Sequence, residues 1–130
     1  MRTMTKTPGM VRVAAVADLH FGRAGTGPPL RTLFADVVER ADILALCGDL
    51  TDTGEPEDAR ALVRALSPAT IPTVAVLGNH DCQSAKVPEV TRILCEAGVH
   101  VLDGTSFEVY GVGFAGVKGF CGGFGRRALD

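Results

Sequence analysis

Three short apolar runs, each stopping abruptly at a cluster of Asp, His, Asn and Gly, limit what this chain can fold into more than any other feature. They read VAAVADLHFG, LALCGDLTDTG and AVLGNHDCQ. Val11 to Ala17 is apolar apart from Arg12, Ile43 to Cys47 is unbroken, and Thr73 to Leu77 follows Pro72. Continuous apolar runs of this length, rich in Val, Ala and Leu, suit strands buried on both faces, as in a parallel sheet.

Amphipathic segments lie between the runs. Leu30 to Arg40 places Leu30, Leu33, Phe34, Val37 and Val38 on one helical face. Pro56, Glu57 and Asp58 suit the first turn of a second helix, whose inner face is Ala59, Leu62, Val63 and Leu66. Ser67-Pro68 stops it. A third helix spans Val87 to Ala97, with Val90, Ile93 and Leu94 inward and Gly98 as its C-terminal cap. The order β-α-β-α-β-α predicts an α/β fold of parallel strands joined by crossovers. Beyond Gly98 come short strands with turns at Asp103-Gly104 and Tyr110-Gly111, a pattern that predicts hairpins. At 130 residues there is room for one core. Residues 1–10 read as a flexible leader and 11–130 as a single domain. Aromatics make up only 5% of the chain, so Ala, Val and Leu must build the core.

Several classes are disfavoured. A net charge of −2 without a basic tract gives no electrostatic footprint for nucleic acid, and Arg126-Arg127 reads as a solvated pair. No run approaches the roughly 20 apolar residues of a membrane span, and MRTMTKTPGM lacks the apolar core of a signal peptide. Cys47, Cys82, Cys95 and Cys121 form no C-x-x-C pair, so the expectation is free thiols in a reducing cytoplasm. Cys47 and Cys95 are expected to pack in the interior, and Cys82 to lie near a site. FGRAGTGPP has glycines but neither phosphate-loop spacing, so it is read as a connecting loop.

A parallel sheet gathers the carboxyl ends of its strands along one edge, where α/β proteins bind ligands. Asp18 and His20 follow the first strand, Asp49 the second, and Asn79, His80 and Asp81 the third. Each alone has an ordinary reading: Asp18 or Asn79 as a turn cap, His20 as a surface residue, Asp49 as a turn residue. Three clusters ending three consecutive strands point instead to a metal site. In an extended segment Asp18 and His20 face the same way, and carboxylate with imidazole suits Zn, Mn or Fe. Asp49 has two oxygens and can bridge two cations, an arrangement suited to activating water against a phosphoester. His80 is the candidate to stabilise the transferring group or protonate the leaving oxygen. Asp81 either orients His80 or serves a turn. Asp52 is read as support behind the ligands.

DLH, GDLTDTG and GNHD, in this order and strand context, resemble the first motifs of the calcineurin-like metallophosphoesterases. The resemblance implies a sandwich of two mixed sheets flanked by helices, of which this chain holds the amino-terminal half. It implies Asp18 and His20 on a first metal, Asp49 bridging, Asn79 on a second, and His80 as the catalytic histidine. The substrate would be a phosphorylated small molecule or macromolecule, as a phosphomonoester or a phosphodiester. The later His and Gly-His-x-His motifs of the family have no counterpart here. His100 matches no family ligand and reads as structural. The expectation is therefore a truncated domain with an incomplete site. Its second metal would be weakly held, and one sheet face would lie open to association, including with a second copy. A catalytically impaired metal-binding fragment or assembly module is the alternative.

Overall fold

The computed structural model describes residues 9–22 and 28–119. Most of the leader, the glycine-rich loop and the tail with Cys121 and Arg126-Arg127 lie outside them. The order is β1 (Val13–Val16), α1 (Pro28–Arg40), β2 (Ile43–Cys47), α2 (Pro56–Leu66), β3 (Thr73–Val76), a 3-10 turn (His80–Cys82), α3 (Val87–Glu96), β4 (Val99–Val101), β5 (Thr105–Val109) and β6 (Val112–Gly116). Strands β1 to β4 form one parallel sheet in sequence order, and β5 and β6 pair antiparallel beside it.

One face of the sheet is sealed by the helices. Leu44 and Leu46 of β2, Ala75 of β3 and Val99 of β4 pack with Phe34, Leu62, Leu66, Val90 and Leu94. Burying each large side chain here contributes about 1.5–3 kcal/mol. Pro28 begins α1, so Pro28-Pro29 are helical rather than part of the expected loop. A first turn needs no N–H from proline, and its fixed φ suits the helix. Gly98 follows α3 at φ +88, where a Cβ would be strained.

The opposite face is covered at one end and exposed at the other, whereas the apolar runs predicted strands buried on both faces. In-register strands put Val13, Ala15, Ala45, Cys47, Val74 and Val76 on this side. The β5–β6 hairpin covers its β3–β4 end. A Cβ on Gly116 would fall 2.7 Å from Leu102 Cβ and Val76 Cγ1, and Phe107 stacks on His100 at 3.7 Å between ring centroids. At the β1–β2 end Val13 is 45% exposed, and Ala15 and Cys47 are exposed too. So β1 is not buried on both faces and Cys47 is not a core residue, although Ile43 on the same side is fully buried. Cys95 is also exposed, on the outer side of α3. His100 is structural in the sense expected: it helps seat the hairpin.

Only one of the two expected turns makes a hairpin. Tyr110 and Gly111, both at positive φ, link β5 to β6 in the two-residue form that matches strand twist. Asp103-Gly104 instead carries the chain from β4, which lies parallel to β3, to the second sheet. A preceding crossover helix lets β4 extend the free edge of β3, a choice that local turn chemistry does not encode.

Candidate metal centre

The loops after β1, β2 and β3 meet at the carboxyl edge of the sheet. Asp18 N–H donates to the Gly48 carbonyl, His20 N–H to Asp49 and Phe21 N–H to Leu50, each at 3.0 Å. This ladder continues the β1–β2 pairing past the strands and holds the first two motifs side by side. Asp18, His20 and Asp49 all have positive φ, at 58°, 48° and 50°. Non-glycine residues rarely adopt that conformation, and clusters of it accompany functional sites. The expected extended DLH segment is thus wrong in detail. Asp18 and His20 still converge, with His20 Nε2 4.0 Å from Asp18 Oδ1.

His20, Asp49 and His80 each offer a ligand atom within 4.8 Å of the others. His20 Nε2 lies 3.9 Å from Asp49 Oδ2, too long for a hydrogen bond but suited to two donors that share one cation. The rings meet edge to face at 4.5 Å. Each histidine is held by its other nitrogen. His20 Nδ1 contacts Asp52 Oδ1 at 3.2 Å, and His80 Nδ1 contacts the Asp52 carbonyl at 2.7 Å. Both partners are acceptors, so in the neutral rings the proton sits on Nδ1 and the Nε2 lone pair is left for a cation or substrate. Asp49 Oδ1 accepts from His80 N–H at 3.0 Å, which leaves Oδ2 toward His20. This set of imidazole and carboxylate donors, oriented from behind, fits a divalent first-row metal. Asp18 stands at the outer lip with its side chain 73% exposed. Asn79 is exposed at the start of the 3-10 turn and makes no side-chain cap bond.

Asp81 neither touches the His80 ring nor serves a simple turn. It is fully buried and accepts from Leu50 N–H at 3.1 Å, Thr51 N–H at 2.7 Å, Thr51 Oγ1 at 2.6 Å and Gly78 N–H at 2.8 Å. One carboxylate therefore clasps the loop after β2 to the loop after β3. Thr51, buried with it and accepting from Gly54 N–H at 2.9 Å, is the partner that sequence reasoning missed. A threonine in GDLTDTG gives no local sign of burial. Gly78 is required here because a Cβ would collide with the Asp49 carboxylate. Cys82, half-buried near this loop, donates to the Gly78 carbonyl at 3.4 Å, consistent with its expected nearness to the site. Farther out, Ser84 and Lys86 bind Glu55 at 2.7 and 2.8 Å. Lys86 first, then Ser84, holds the Glu55 carboxyl below its ordinary range, while burial pushes Asp58 up.

The sequence model of the calcineurin-like phosphoesterases matches residues 11–124, and the chain belongs to that family. Among solved structures it resembles TT1561 of Thermus thermophilus, with a TM-score of 0.68 and 23% identity over 92% of this chain and 55% of that one. It also resembles the phosphopantetheinyl hydrolase PptH of Mycobacterium tuberculosis, at 0.55 and 19% over 85% of this chain and 42% of that one. At these identities the likeness is one of fold, and the chain spans only about half the length of the structures it matches. No curated protein matches it. Among the described residues no helix is long and apolar enough to cross a membrane.

Proposed function

We propose that this chain carries the metal-binding rim of a phosphoester hydrolase. Asp18, His20 and Asp49 would hold a first divalent cation. Asp49 would bridge to a second, more weakly bound one with Asn79, the metals being Mn, Fe or Zn. The observation that carries the reading is the convergence of His20, Asp49 and His80 donors within 4.8 Å, in a chain of this family. When bound, such cations supply Lewis-acid polarisation of a phosphoryl oxygen and a more acidic water. The protein's own part is positioning. Asp52 fixes both rings, through its carboxylate on His20 and its carbonyl on His80. His80, so held, would present Nε2 to the transferring group and, when protonated there, give a proton to the leaving oxygen. Asp81 keeps Asp49 and His80 in register by joining their loops. The substrate would be a phosphorylated small molecule or macromolecule. The thiols of Cys47 and Cys95, both exposed and free among the described residues, support a cytoplasmic setting.

The test is bound metal per chain after purification with manganese, together with hydrolysis of bis-p-nitrophenyl phosphate and p-nitrophenyl phosphate. Manganese-dependent turnover that vanishes in His80→Ala supports the reading, and a chain that binds no manganese overturns it. A second reading is a metal-binding module with impaired turnover, acting in assembly. It is favoured by the thin donor set at the second site and by His100, which is committed to Phe107. Stoichiometric manganese without hydrolysis would select it. Turnover that rises with protein concentration would indicate completion of the site by a second copy.

A further inference from the structure

Directly after β6 the chain returns to the rim. Gly119 N–H donates to the Leu77 carbonyl at the end of β3. A Cβ on Gly119 would fall 3.2 Å from Gly78 Cα and 3.8 Å from Asn79 N, so this strand end lies against the backbone that carries Asn79. Gly78 in turn abuts the Asp49 carboxylate. The preceding residue, Lys118, is pinned by its own N–H to Asp103 Oδ1 at 3.3 Å. It is exposed, and its ammonium enters no ion pair among the described residues, unlike the cationic groups of Lys86, Arg60, Arg64 and Arg92. Beside it an open groove of about 420 Å³ runs along the start of β5 and the end of β6, lined by Gly104, Thr105, Ser106, Ala115, Gly116 and Val117.

We propose that Lys118 is a substrate-anchoring residue that binds an anionic oxygen of the phosphoester, with the body of the substrate in the adjacent groove. The inference rests on the phosphoester reading above. The charged groups Asp18, Asp49 and Asp52 at this rim, and Asp103 beside Lys118 itself, are carboxylates that repel an anion. A cation on the flank opposes that repulsion and selects for negative charge. Lysine suits the task as a point charge on a flexible four-carbon stem that follows a tethered backbone. The neighbouring Gly119 meets the GNHD loop in space, although about forty positions separate them in sequence, so no motif marks Lys118.

Inorganic phosphate is the probe, titrated calorimetrically into the manganese-loaded protein, with manganese affinity measured separately by electron paramagnetic resonance. Lys118→Ala should weaken phosphate roughly fivefold and leave manganese affinity unchanged. Lys118→Arg should retain most of the affinity. Arg92→Ala, which removes an equal charge from α3, should behave as the parent does. Added salt should weaken the parent more than Lys118→Ala. Equal phosphate affinity in Lys118→Ala and the parent overturns the inference, as does an equal loss in Arg92→Ala. If the parent takes up no manganese, the phosphoester reading fails on its own. Phosphate binding to the metal-free chain then decides Lys118: a loss in Lys118→Ala upholds it, and no binding by the parent overturns it.

Discussion

The rim has a deep layer and an outer layer, and the two use the same residue types to opposite ends. In the deep layer Asp81 is buried and accepts from Leu50, Thr51 and Gly78, so its oxygens are fully committed to the protein. In the outer layer Asp18, His20 and Asp49 face one another at 3.9–4.0 Å with donor atoms uncommitted. Folding consumes one carboxylate so that the others can be held apart and unsatisfied. A buried acceptor with four donors stabilises the fold, whereas the like-charged outer carboxylates oppose it, a repulsion that a bound cation would relieve.

The largest expected effect falls on the deep layer. Asp81→Ala leaves three N–H groups and a hydroxyl buried without an acceptor. It should cost about 3–5 kcal/mol in urea denaturation and should take metal binding with it. Asp49→Asn should do the reverse. Its stability should stay within about 1 kcal/mol of the parent or rise, while manganese affinity falls roughly 100-fold or more. If both variants unfold alike, the two layers are not separate. Asp52→Asn sharpens the contrast from between them. It should lower manganese affinity about 10–100-fold through His20 while the fold persists, read by calorimetry and near-ultraviolet circular dichroism.

The smallest effects lie at the periphery and depend on pH. The contacts of Glu55 with Lys86 and Ser84 lower its pKa, so the folded state binds that proton less readily than the unfolded chain. The contribution is therefore present above the ordinary carboxylate range and is lost as pH falls through the lowered value. Asp58 works in the opposite sense. Burial raises its pKa, so its ionisation opposes folding at neutral pH, and the penalty is relieved as pH falls through that raised value. Glu55→Gln should flatten the loss of stability in acid, and Asp58→Asn should raise stability at neutral pH, both measured by denaturation across the acid limb. On the open end of the sheet, Val13→Ala should change stability by less than about 1 kcal/mol, against about 2–5 kcal/mol for Leu44→Ala on the helix-covered face.

Much of the fold was legible because apolar periodicity is a local property. The three strand runs, the three helices and the caps at Pro56 and Gly98 lie where the pattern places them. The meeting of Asp18, His20, Asp49, Asn79 and His80 at one edge was legible too, since parallel strands gather their carboxyl ends there. What the pattern could not show was which face of a strand is covered. Val13 and Cys47 look like core residues in sequence and are exposed, because burial depends on whether another layer lies over them. Nor could it divide labour among aspartates. The sequence by itself determined the elements, their order and the chemistry delivered to the rim, because spacing and residue type act along the chain. Only the tertiary structure decided that Asp81 clasps, that Asp52 contacts both histidines, and that Gly119 brings the chain after β6 back to the rim. Those roles depend on contacts between residues about thirty or more positions apart, which backbone hydrogen bonds and packing bring together and no local pattern encodes.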